Sequence, residues 1–179
     1  MEKVELQKKI ENATTKRKKG DILGANNIFQ ELLKSNSDSF DLLYTYGLFC
    51  KDIKNFNLAK KIFFILIKKF PLSINSYILL AELFRLENKF KEAENVLKKA
   101  MKADPNHGDL LYNFSLLYFA SRKFDYALAY INKAIELSIE NDVYKILKSE
   151  IYINNFNYDK ALTILERLKN NDKIHINNN

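Results

Sequence analysis

The sequence contains one cysteine, two prolines, four glycines and no tryptophan in 179 residues. The lone Cys50 excludes an internal disulfide framework and fits a reducing compartment, so a cytoplasmic location is expected. So few glycines and prolines exclude a β protein rich in tight turns and favour helix. Ile62 to Ile67 is an apolar run of six residues, well short of the ~20 that cross a bilayer. No transmembrane segment is expected. The first twenty residues lack the apolar stretch of a secretory signal, and none is expected.

Catalytic and metal chemistry is also missing. His107 and His175 stand 68 residues apart, and neither makes a metal-ligand spacing with Cys50. There is no glycine-rich phosphate loop, nucleophile elbow or HExxH motif. Nothing supplies a nucleophile, a base and an oxyanion site together. No catalytic residue, metal or cofactor is expected, and the chain reads as a non-enzyme.

What is present is lysine. The net charge is +7, and 25 of the 29 basic residues are lysines. The excess is +2 over residues 1–39 and +4 over 40–73, and close to zero beyond. Arginine is the better residue for bidentate phosphate recognition, so nucleic acid is disfavoured as a partner. Residues 16–19, KRKK, read either as a contact for an anionic surface or as a solvated helix end, where cations suit the dipole.

A period of 34 residues runs through the chain. Ala25, Ala59, Ala93, Ala127 and Ala161 are each 34 residues after the last. Three residues before them lie Ile22, Phe56, Phe90, Phe124 and Tyr158. Twelve before lie Ala13, Gly47, Ala81, Ser115 and Ser149, all small. Four after lie Phe29, Phe63, Leu97, Ile131 and Leu165, which extend an i, i+4, i+7 apolar stripe. This is the pattern of a helical hairpin: small residues where two helices approach closely, large ones beside the turn. Pro71 and Pro105 fall where the second helix should stop. A single hairpin cannot bury its faces alone, so neighbours must stack.

The pattern resembles the tetratricopeptide repeat family over nearly the whole chain, with repeats at 6–39, 40–73, 74–107, 108–141 and 142–175. Together they form one array over 1–175, followed by a frayed tail at 176–179. The resemblance implies an all-α fold, an α-solenoid of five helix-turn-helix repeats in a right-handed superhelix. It further implies that first helices line a concave groove for a partner protein segment.

By that resemblance, positions 2, 5, 6, 9, 12 and 13 of each first helix face the groove. The candidate binding residues are Tyr44, Leu48, Ile78, Glu82, Arg85, Tyr112, Asn113, Leu116, Phe119 and Ile146. They form an apolar track with aromatic anchors, suited to an apolar or amphipathic protein or peptide segment. Asn113 could bond a peptide backbone, and Glu82 and Arg85 could set its register. The family subtype that grips a C-terminal carboxylate, as on chaperone tails, needs a Lys/Asn/Arg set. No three consecutive repeats supply it, so a chaperone tail is disfavoured. In the fifth repeat Lys145 and Lys148 occupy usual core positions, and the stripe reads equally well one residue earlier, through Tyr144, Leu147 and Ile151.

The six-residue run belongs to the second repeat's second helix. Phe63, Leu66 and Ile67 are expected in its core, whereas Phe64 and Ile65 fall where the other repeats carry polar residues. Three readings follow for that pair: a convex contact, a local tilt that tucks them in, or ordinary exposed residues. The function implied is a protein-interaction adaptor or scaffold. The alternatives are a self-associating structural module, such as a homodimer, through the convex Phe64 and Ile65, and a weak nucleic-acid or anionic-surface binder through the basic N-terminal half.

Overall fold

A computed structural model describes the backbone of residues 2–177 and the side chains of 3–169. The tail expected over 176–179 reaches outside these residues. The described residues form ten helices: α1 (Glu2–Lys18), α2 (Ile22–Ser35), α3 (Phe40–Asp52), α4 (Phe56–Lys69), α5 (Ile74–Leu86), α6 (Phe90–Met101), α7 (Gly108–Ala120), α8 (Phe124–Leu137), α9 (Asp142–Asn154) and α10 (Tyr158–Asn177). The even-numbered helices start at intervals of 34 residues, as do the odd-numbered ones from α3 onward. The described residues contain no strand.

Each turn from an odd to an even helix passes through one left-handed residue: Gly20, Lys54, Asn88, Arg122 or Phe156, with φ of 85°, 61°, 58°, 58° and 58°. The amide of the residue after it reaches back five residues. Asn55 N–H donates to the Cys50 carbonyl and Lys123 N–H to the Tyr118 carbonyl, both at 2.8 Å. This bond closes a Schellman motif and satisfies a carbonyl that the helix end would otherwise orphan.

The chain divides into two compact units, Met1–Leu83 and Phe84–Asn179, the boundary falling in the last turn of α5. In the first unit α1 packs on α2 and α3 on α4. Ala13, Ala25 and Ala59 are fully buried, with Phe29, Phe63 and Leu66 beside them. Gly47 is needed for close approach: a Cβ there would stand 2.9 Å from the Phe63 ring. Ile62, Phe63 and Leu66 are core, whereas Ile67, expected with them, is half-buried. Phe64 and Ile65 are 51% and 42% exposed, so α4 does not tilt to cover them.

In the second unit α7 packs on α8 and α9 on α10. Ser115, one of the small residues, donates its hydroxyl to the Ala127 carbonyl at 2.9 Å and so joins α7 to α8 where they come closest. On α9 the earlier of the two readings holds: Tyr144, Leu147 and Ile151 are buried. Lys145 and Lys148 sit half-buried instead, and burial lowers the Lys148 pKa. Leu165 was expected on an apolar stripe. The stripe turns outward on α10, leaving Leu162 and Leu165 56% and 41% exposed while Ala161 is buried against α9.

Candidate partner-binding faces

On α3, α5 and α7 the third, fourth, seventh, eighth and tenth residues supply most of the core, and the groove positions fall between them. On α3, Leu42, Leu43, Tyr46, Gly47, Phe49 and Cys50 are buried, whereas Tyr44, Leu48 and Lys51 are half-buried. On α7, Leu110, Leu111, Phe114, Ser115, Leu117 and Tyr118 are buried, whereas Tyr112, Asn113, Leu116 and Phe119 are half-buried. Helical spacing produces this second stripe because its residues lie about 100° from the core face.

In the first unit Tyr44 stacks on Phe40, ring centroids 5.5 Å apart, and meets the buried Phe63 edge-on at 6.5 Å. Burial pushes its hydroxyl pKa up. Leu48 lies one turn on, half-buried, as does Ile78 on α5. Glu82 is already engaged: Lys51 Nζ donates to its Oε2 at 2.7 Å, tying α3 to α5. At the other end of this face, Val4, Gln7, Ile10 and Glu11 of α1 line a shallow cleft with Asp41. The sequence reading passed over these α1 residues, although Gln7, Ile10 and Glu11 hold positions 2, 5 and 6 of the first repeat. The same position rule would have found them.

In the second unit the face is built around two stacked tyrosines, Tyr112 of α7 and Tyr144 of α9, with centroids 5.2 Å apart. Tyr144 donates its hydroxyl to Asp109 Oδ1 at 2.7 Å. The close approach depends on Gly108, where a Cβ would come within 3.0 Å of the Tyr144 hydroxyl. Burial, then the bond to the Asp109 carboxylate, drives the Tyr144 pKa well up, so it stays a donor. Burial and the Glu150 carboxylate also raise Tyr112, against a smaller opposing pull from Arg85. Asn113 turns one amide N–H to the Asp109 carbonyl of its own helix at 2.8 Å, which leaves its second N–H and its carbonyl oxygen for other bonds. Leu116 and Phe119 continue the stripe, with Phe119 6.2 Å from Phe124, and Ile146 on α9 is 44% exposed. The contribution of Tyr144 escaped the sequence reading because position 3 belongs to the core face.

Cys50 is fully buried and forms no disulfide. Among the described residues no group of three or more His, Cys, Asp or Glu could hold a metal ion. Among them, too, no helix is long and apolar enough to cross a membrane.

Residues 87–168 match the family described as anaphase-promoting complex, cyclosome, subunit 3. No curated protein sequence matches the chain. Several solved structures resemble it. A MamA fragment (41-end) from Desulfovibrio magneticus RS-1 is 15% identical, with 94% of this chain and 95% of that one covered, at a TM-score of 0.74. A thermophilic tetratricopeptide repeat protein of Thermus thermophilus is 21% identical over 90% of this chain and 89% of its own, at 0.73. A tetratricopeptide repeat protein from Parabacteroides merdae is 12% identical over 92% of this chain and 64% of its own, at 0.81. At these identities the likeness is one of fold, and it agrees with the 34-residue spacing of the helices: the chain has the all-α, five-hairpin solenoid fold of the tetratricopeptide repeat proteins.

Proposed function

We propose that the chain is a non-catalytic protein-interaction adaptor that holds an apolar or amphipathic segment of a partner protein against its odd-helix faces. The observation that carries this reading is the α7–α9 face. Tyr112, Leu116, Phe119 and Ile146 keep part of their surface in water although their helices bury six and four neighbouring residues. Large apolar side chains left at the surface in a row, with polar groups at the margin, mark recognition surfaces. The Tyr112–Tyr144 stack is a rigid platform, since Asp109 fixes one ring through its hydroxyl. Asn113 and Arg85 would bond the partner's polar groups, and the Lys51–Glu82 pair would confine the α3–α5 face to apolar contacts. Both faces favour a segment that supplies aliphatic or aromatic anchors over one that supplies charge.

The test is a peptide-display selection on the intact chain. Selected peptides are then titrated against Leu116→Glu and Leu48→Glu variants of unchanged helicity. A charge at the centre of a desolvated contact is expected to weaken binding by at least ~10-fold, about 1.4 kcal/mol. Peptides that bind all three proteins equally would remove the odd-helix faces from the mechanism.

A further inference from the structure

The outer face of α4 is unlike that of any other even-numbered helix. Lys61, Phe64, Ile65, Lys68 and Lys69 recur along it at helical spacing, and all five are exposed. At the positions of Phe64 and Ile65 the other repeats carry Gln30–Glu31, Lys98–Lys99, Asn132–Lys133 and Glu166–Arg167. α4 holds four lysines and no acidic residue, a charge of +4, against 0, +1, −1 and +1 for α2, α6, α8 and α10. Asp38 pairs with Lys69 at one end of the helix. Asp52, at the end of α3, is engaged by Arg17.

We propose that this face docks on an anionic lipid surface. Phe64 and Ile65 enter the boundary between headgroups and acyl chains, while Lys61 and Lys68, before and after them, reach the phosphates. Paired apolar residues with lysines on both sides are what an interfacial helix needs, because long lysine side chains bury their stems and keep the charge at the headgroups. A protein partner fits less well. Two side chains supply little of the roughly 800 Å² that each side of a stable protein interface buries. The lysines fore and aft also interrupt the i, i+3, i+4, i+7 stripe that a partner helix would need. A fluid lipid surface requires neither area nor shape complementarity. The proposal is independent of the odd-helix faces.

The experiment is co-sedimentation of the full chain with phosphatidylserine-rich vesicles and with phosphatidylcholine vesicles, from low to physiological salt. Binding is expected only to the anionic vesicles and should weaken with salt. It should fall at least ~10-fold both in Phe64→Ser/Ile65→Ser and in Lys61→Glu/Lys68→Glu. A Lys98→Glu/Lys99→Glu control on α6 should bind like the wild type. All six substituted positions are exposed, and circular dichroism checks that each variant is folded. No binding at low salt overturns the proposal. So does equal loss in the α6 control, which would make the effect one of net charge. Light scattering gives the third overturning result: a dimer that Phe64→Ser/Ile65→Ser dissolves would assign the face to a second copy of the chain.

Discussion

Five residues carry the turns between paired helices, and they differ in how well they suit the task. A left-handed backbone costs an L residue about 1–2 kcal/mol, whereas glycine adopts it freely and asparagine tolerates it. Gly20 and Asn88 meet that requirement; Lys54, Arg122 and Phe156 do not. Phe156 is the clearest case, because its ring is 77% exposed and its described ring contact is an edge-on one with Tyr158 at 6.4 Å. Phe156→Gly is expected to raise stability by about 0.5–1 kcal/mol, the entropy of glycine offsetting part of the relieved strain. A urea midpoint that falls instead would mean that the Tyr158 contact outweighs the backbone. The same residues explain why the turns were harder to read than the helices around them. Glycine is the usual cue for a left-handed residue, and only one of the five turns has it.

At the scale of the helix, ends and faces were legible to different degrees. Small residues at Ala13, Gly47, Ala81, Ser115 and Ser149 and the alanines at Ala25 to Ala161 fixed the pairing and period, because only small side chains allow two backbones so close. Core membership was legible wherever the stripe was clean. It failed at Ile67 and Leu165, where the direction a side chain takes depends on what packs beside it rather than on spacing. On α9 the family register put Lys145 and Lys148 at core positions, and the stripe one residue earlier, with the buried Tyr144 bound to Asp109, is the one that packs. For the candidate faces, position rules found Tyr112, Leu116 and Phe119, but no sequence rule indicated that Lys51 would occupy Glu82. The helix starts show a further difference. Asp21 and Asn55 cap α2 and α4 by accepting from the Gly24 and Leu58 amides at 2.8 and 3.2 Å, whereas Lys89 and Lys123 make no such bond on α6 and α8. Lys89→Asn therefore supplies a missing acceptor at α6 and gives up the surface pair with Glu87. It is expected to stabilise by about 0.5–1 kcal/mol. A calorimetric scan with unchanged or lower Tm would show that the α6 amides are already satisfied by water.

At the scale of the whole molecule, Cys50 and several packed tyrosines are shifted in one direction, and this sets the response to alkali. In the first unit burial pushes the Cys50 thiol from 9.0 up to about 11, against a smaller downward pull from a Tyr46 hydrogen bond. Burial also raises Tyr44 and Tyr46. In the second unit burial, followed by the Glu94 carboxylate, pushes Tyr118 up to about 12, and burial raises Tyr112, Tyr130 and Tyr144. A group whose pKa is raised by folding holds its proton more tightly in the native state. Its contribution is complete below the unfolded value and disappears as pH climbs through the folded one. For Cys50 that window runs from 9.0 to about 11, and the loss across it reaches about 2–3 kcal/mol. The tyrosines extend the decline from 10.0 to about 12. The urea midpoint should therefore hold to about pH 9 and fall steeply above it. Cys50→Ala should lower the plateau by leaving a small void, yet flatten the first part of the fall, because the thiol no longer has to ionise. If the variant and the wild type decline in parallel between pH 9 and 11, the thiol is not what resists alkali, and the tyrosines carry the whole response.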